Sequence, residues 1–484
     1  MADNPSFNTD KPSLTAAPPS KQWLERHKPY PIVITKLVYQ GWGLGMIGGF
    51  KIFVPSTIPG DEVEIEIESF KRRYAFGKVI SIIKPSEMRA DPVCRHFSKC
   101  GGCQILQVDY TNQLRLKTEI LKDCIRGFFP ALESKLLPIK AAESNLYYRN
   151  KMEYAFSEQD NQIVTGLKKR GAFDQIIPLE HCYLMSPQSN DIRKAVCAFF
   201  NAKKNTAAIA MTNAAITSWN YHTHQGLLRY LGIRHSKTFD QYMINLVVSE
   251  YNETLLQEFS QYLCSAFTNI ITIVVSVQPE KGDTALSDDV RILSGPGYIK
   301  ERLGSLEFII SPLSFFQTNT SQAEVLYQTI ADTADLKEGE TILDLYCGTG
   351  SIGMFLTQGK IKDLNIIGIE ENKQAIKDAE QNTIYNQIPP ITYYSGRVKN
   401  ILKFNTFHPD CVITDPPRSG MVPKALRRMA ELNAPKIIYV SCHPANMLRD
   451  LKDICAYGYN VEEIQPVDMF PNTYHIENVV KLTK

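Results

Sequence analysis

The sequence predicts a multidomain protein: a small β-barrel, then an α/β central domain, then an α/β doubly wound domain that closes the chain. Three observations carry this reading. At 484 residues the chain exceeds what one ordinary core organises. From Tyr30 to Pro85, short β-branched runs such as PIVITKLVYQ, KIFVPSTIPG and GKVISII are separated by glycines. From about residue 321, helical patterns (SQAEVLYQTIADTA, NKQAIKDAEQN) alternate with strands (ETILDLY, NIIGIE, CVITD, KIIYVSC). Such alternation demands a parallel sheet covered by helices.

Composition sets the class. A hydrophobic fraction of 44% and a charged fraction of 21% are those of a soluble globular protein, and no apolar run is long enough to cross a bilayer. The opening MADNPSFNTDKPSLTAAPPS has neither an apolar core nor an Arg-rich face, so residues 1–28 read as a disordered tail rather than a targeting segment. Eleven cysteines without regular spacing argue for reduced thiols, and the expected compartment is cytoplasmic. A net charge of +2 does not identify a partner, because nucleic-acid binding needs local positive charge. Residues 21–120 hold 15 Lys/Arg against 10 Asp/Glu, including Lys71, Arg72 and Arg73 beside Tyr74.

The barrel is expected over residues 29–87. EVEIEIE alternates acid and aliphatic residues, the pattern of a half-buried strand, and Gly41, Gly43 and Gly45 suit a tight loop between strands. Barrels of this size bind RNA through basic and aromatic groups on one face, although an ordinary scaffold barrel suits the composition equally well. A central α/β domain is expected over 88–310. It opens with a cysteine cluster and the helical stretch NQLRLKTEILKDCIRGFF, in which Leu114, Ile120, Leu121 and Ile125 recur near helical spacing.

The chemistry is expected in residues 311–484. Asp344-Leu-Tyr-Cys-Gly348-Thr-Gly350-Ser351 follows a strand and opens a helix, so its glycines let the backbone approach a ligand. Glu370 ends the next strand, where a carboxylate accepts from ribose hydroxyls. The glycine turn by itself suits a dinucleotide oxidoreductase as well. Asp415-Pro-Pro-Arg-Ser-Gly420 and Ser441-Cys442 each follow a strand directly, at the carboxyl edge where open α/β sheets bind ligands. Pro416 and Pro417 fix an extended loop able to stack on a flat base. Cys347, Cys411 and Cys455 read as small buried hydrophobes.

DLYCGTGSIG, DPPRSG, YVSCHPANMLRDL and HIENVVKL, with FFQTN at residues 315 to 319, resemble the consecutive motifs of the RNA uridine-5-methyltransferase family. With a TRAM-like, OB-like barrel in front, the resemblance spans the chain from about Tyr30, and it makes the C-terminal domain Rossmann-like. It implies S-adenosylmethionine as methyl donor, contacted by Gln317, Tyr346, Glu370 and Asp415; the polar contacts common in relatives near Ser351 and Gly396-Arg397 do not match. It also implies Cys442 as nucleophile and Glu477 as proton acceptor. The chemistry needs such a pair. C5 of uracil is a poor nucleophile until a thiolate adds to C6 and makes an enolate; a base then removes the C5 hydrogen and the thiolate is expelled. Enzymes that methylate exocyclic amines usually carry an aromatic residue after DPP, where Arg418 stands. Cytosine-5 enzymes carry a cysteine in that loop, and here there is none. His443 and His475 read as hydrogen-bonding neighbours. A uridine in folded RNA must be extruded to reach a thiol, and Phe315 or Phe316 is expected to stack on it or to pack in the core.

Cys94, Cys100 and Cys103, with Cys182 farther on, supply four thiolates that suit either tetrahedral zinc or an iron-sulfur cube; Cys124 competes for the fourth place. The resemblance implies a [4Fe-4S] cluster, with zinc as the alternative. Barrel and cysteines together resemble the subfamily acting on 23S rRNA, while some archaeal relatives with both features modify tRNA. A monomer without membrane association is expected. A non-catalytic RNA-binding adaptor would share the barrel but has no need for Cys442 and Glu477.

Overall fold

The computed structural model describes residues 24–172, 174–204, 216–282, 285, 287–359, 361 and 363–484. The first 23 residues of the expected tail lie outside the described residues. Two compact units form: residues 1–120 with 168–175 and 471–474, and residues 121–167 with 176–470 and 475–484.

The first unit contains a closed barrel of β1 (Pro29–Val38), β2 (Trp42–Ile47), β3 (Phe50–Pro55), β4 (Glu62–Phe70) and β5 (Tyr74–Lys84), ordered β1-β2-β3-β5-β4. Val63, Ile65 and Ile67 of the alternating strand are fully buried, packed with Ile34, Ile52, Val54 and Leu24. Only Gly41, with φ +69°, makes a turn. Contrary to the tight-loop expectation, Gly43 and Gly45 lie within β2 and face inward. A Cβ on Gly43 would stand 2.0 Å from Thr57 Oγ1, and one on Gly45 2.5 Å from the Val33 carbonyl. These glycines are fixed by close approach of neighbouring strands. The helix α1 (Tyr110–Phe128) follows, with residue 120 the last in this unit.

The second unit holds two seven-stranded sheets. The first, ordered β12-β11-β10-β9-β6-β7-β8, comprises β6 (Lys151–Gln159), β7 (Gln162–Lys168), β8 (Ile176–Pro178), β9 (Leu228–Ser236), β10 (Gln241–Val248), β11 (Ile270–Val277) and β12 (Asp289–Ser294). Helices α2 (Pro187–Lys204) and α3 (Glu253–Ala266) accompany it, and a hairpin of β13 (Ile299–Leu303) and β14 (Leu306–Ile310) comes next.

The C-terminal sheet is doubly wound. After α4 (Thr320–Ala334) the chain runs β15 (Thr341–Leu345), α5 (Ser351–Leu356), β16 (Asn365–Glu370), α6 (Lys373–Tyr385), β17 (Thr392–Ser395), α7 (Val398–Phe404), β18 (Cys411–Thr414), α8 (Pro423–Glu431), β19 (Lys436–Ser441), α9 (Pro444–Cys455), β20 (Asn460–Val467) and β21 (Glu477–Thr483). The order is β17-β16-β15-β18-β19-β21-β20. Strands β15 to β19 pair in parallel, whereas β21 is inserted antiparallel beside β19. Two apolar cores flank this sheet: one gathers Leu343, Val412, Ile437 and Met447, the other Ile342, Ile413, Ile438 and Leu326. Among the described residues no helix is long and apolar enough to cross a membrane.

Candidate active site

The carboxyl ends of β15, β16, β18 and β19 open into a cavity of about 870 Å³ within the second unit. Its walls bring together Gln317, Tyr346, Glu370, Asp415, Cys442 and Glu477. All six expected catalytic and donor-binding positions therefore share one space.

The turn after β15 is built by its backbone. Tyr346, Gly348 and Gly350 take positive φ of 62°, 55° and 71°. Nothing lies within 4 Å of where a Gly348 Cβ would be, whereas one on Gly350 would meet the Tyr393 hydroxyl at 2.4 Å. Gly348 therefore leaves room on the cavity side, and Gly350 is fixed by packing. The Glu370 carboxylate accepts from the amides of Gly348 (3.2 Å) and Asn372 (2.8 Å). Asp344 is 1% exposed with neither carboxylate oxygen hydrogen-bonded to standard geometry, and burial, with Asp415 nearby, pushes it up to about 8. Buried carboxylates short of partners around an open glycine turn fit a cationic sulfonium donor. Ser351 does not face this space by a free hydroxyl; it bonds the Tyr327 hydroxyl at 2.8 Å. Arg397 is exposed and paired with Glu371 at 3.2 Å.

Cys442 directly follows β19 and precedes α9. His443 is the N-cap of that helix, its Nδ1 accepting from the Asn446 amide at 3.3 Å, which is the neighbour's role expected of it. Burial pushes the Cys442 thiol up to about 12, with Glu477 and Asp415 adding to the rise and Arg418 opposing it. Glu477 opens β21. Far from being an exposed carboxylate, it is 8% exposed, and burial, then Asp415, push it up to about 8. Burial likewise raises Asp415 to about 6. Phe315 is 64% exposed at the cavity while Phe316 is buried against Phe308, so the two phenylalanines divide between site and core.

Several functional positions carried no sequence signal. Arg149 lines the cavity, its guanidinium 5.6 Å from the Phe470 ring centre. Asp450, 1% exposed on α9, accepts from the Tyr439 hydroxyl (2.6 Å), the Met421 amide (2.7 Å) and Arg449 Nη2 (2.7 Å). Arg449 Nη2 also donates to the Ser419 carbonyl, and Asn446 Nδ2 to that of Arg418. The loop after Asp415 is thereby sewn to the helix after Cys442. Asp450 lies inside a quoted motif, but nothing in its spacing marks it as a buried acceptor.

The metal expectation finds no matching geometry. Among the described residues no group of three or more His, Cys, Asp or Glu side chains is arranged to hold a metal ion. Cys100 is buried and accepts from the Gly102 amide at 3.4 Å, and the Cys182 amide is held by the Asn190 side chain at 2.7 Å. Local hydrogen bonding, rather than a converging thiolate set, describes these positions, and no step is derived through a cluster.

Comparison with known proteins agrees with this geometry. The model of the tRNA (uracil-5-)-methyltransferase family matches residues 287–484, and that of the TRAM domain residues 25–80. An uncharacterized RNA methyltransferase of Chlorobaculum tepidum is 35% identical, covering 87% of this chain and 89% of that one. One of Clostridium tetani is 32% identical over 95% and 97%. Among solved structures, the Pyrococcus abyssi tRNA (uracil-54, C5)-methyltransferase in complex with S-adenosyl-L-homocysteine superposes with a TM-score of 0.74 at 27% identity, covering 93% of this chain and 99% of that chain.

Proposed function

Because this chain belongs to the family of RNA uracil-5-methyltransferases, we propose that it methylates uridine C5 through a covalent bond between Cys442 and C6, with Glu477 as the base. One observation carries the proposal: Cys442 and Glu477 open into the same cavity as Asp415, Glu370, Tyr346 and Gln317.

S-adenosylmethionine supplies an electrophilic methyl group. Gln317, Tyr346, Glu370 and Asp415 hold the donor, with acidic groups facing its positive sulfonium. Cys442 rests as a thiol, and its proton passes to solvent as sulfur adds to C6. The C5–C6 π pair then makes C5 nucleophilic, and C5 takes the methyl group as the bond to the sulfonium breaks. Glu477 accepts the C5 proton, and the electrons of that bond restore the double bond and expel the Cys442 thiolate. A carboxylate raised by burial is a stronger base than one in water.

The substrate proposed is 23S rRNA, on the joint presence of barrel and cysteine-rich segment. A tRNA reading is favoured by the solved relative, which acts on uracil 54 of tRNA. Mapping 5-methyluridine in both RNAs, from cells with and without the gene, separates them. Loss from neither RNA would sink both, and loss from tRNA alone would reverse the order.

A further inference from the structure

We propose that Arg149 is a catalytic residue of this reaction, donating to uracil O4 and stabilising the enolate that forms when Cys442 adds to C6. The inference rests on the reading above and adds a charge that reading lacks. When the C6–S bond forms, the C5–C6 π pair moves into the ring and negative charge collects on O4. A cavity walled by Asp415, Glu370 and Glu477 is the wrong environment for an anion unless a cation stands among them. Two arginines line it, Arg149 and Arg418.

Arg149 is the better placed. Arg418 is exposed on the loop after Asp415, where water screens its charge. Arg149 is half-buried, its Nε is buried without a hydrogen-bond partner, and its guanidinium lies against the Phe470 ring. A buried donor left without a partner is costly to the fold, which points to a role with a ligand. Its position is set by the backbone: the Arg149 amide donates to the Leu184 carbonyl at 2.9 Å, and Asn150 Nδ2 donates to the Gln317 carbonyl at 2.8 Å. Arg149 is thus tied to the segment carrying Gln317 and Phe315. As the thiolate leaves, the charge on O4 returns to the ring, so the guanidinium binds the intermediate more strongly than the uridine.

The test uses RNA from cells lacking the gene, labelled with [5-³H]uridine. Without methyl donor, enolate formation exchanges tritium at C5 for solvent protons; with donor, tritium release reports methylation. Expected for Arg149→Gln is a loss of about 10²–10³-fold in both rates at saturating RNA, with S-adenosylmethionine affinity within about twofold of wild type. Arg149→Lys should recover part of the loss, because it restores a cation. A rate for Arg149→Gln within about threefold of wild type at saturating RNA, even with a raised KM, would overturn the proposal. Arg149→Lys decides if Arg149→Gln fails to bind donor: turnover no better than a neutral, folded Arg149→Met variant also overturns it. Absence of release by the wild type would instead defeat the uridine-C5 reading itself.

Discussion

Ser441 and Asn478 are register partners across β19 and β21, which run antiparallel, and this pairing sets Cys442 and Glu477 at the same end of the sheet. Cys442 is the residue after one strand ends, and Glu477 the residue with which the other begins. A parallel β21 would have put its first residue at the opposite edge. The electrostatics report the result, since Glu477 is the first-ranked charge acting on the Cys442 thiol after burial.

Removing either partner should stop the reaction at different points. Cys442→Ala is expected to abolish methylation while S-adenosylmethionine binding stays within about twofold. Glu477→Gln should still form the sulfur–carbon bond but not resolve it, so RNA should remain attached on a denaturing gel. Turnover by Cys442→Ala would refute the nucleophile assignment.

The pH dependence has a definite sign. Glu477 must be ionised to accept the C5 proton and is raised to about 8, so the single-turnover methylation rate should climb from pH 6 and level off above about 8. A profile flat across that range would exclude Glu477 as the base.

Stability should move the other way. The folded pKa of Glu477 lies above the ordinary 4.5, so the native state binds the extra proton and stability falls as pH rises between those values. Glu477→Gln is therefore expected to stabilise the second unit by roughly 2–4 kcal/mol at pH 9, and by under about 1 kcal/mol at pH 5. Denaturant melts at the two pH values check this; an equal effect at both would contradict it.

The clamp on Asp450 should prove mainly structural for the loop and indirect for catalysis. Asp450→Ala leaves Tyr439 and the Met421 amide without an acceptor, at a cost of about 3 kcal/mol. Gly420, whose Cβ would stand 2.5 Å from Arg449 Nη2, should tolerate alanine no better. Thermal melts with and without donor give the measurement, and an unchanged melt for Asp450→Ala would remove the clamp.

Much of the site was legible because motif and strand end coincide. Asp415 and Cys442 each follow an apolar β-branched run, and in a parallel sheet every such run ends at the same edge. Gly348 and Gly350 were legible as a turn, though not that one leaves open space while the other meets Tyr393. The inward glycines of β2 were misread as a loop, since a glycine needed for strand approach looks the same in sequence as one needed for a bend. Asp450 and Arg149 were invisible, because their partners come from distant segments.

By itself the sequence determined the fold class, the family motifs and the nucleophile, since periodicity and strand-end position are local properties of the chain. Tertiary structure decided the pairing of Cys442 with Glu477, the division of Phe315 and Phe316 between cavity and core, and the presence of Arg149 in the wall. Each depends on strand order or burial. A carboxylate becomes a strong base, and an arginine a candidate for anion stabilisation, only when the folded chain removes water from around them.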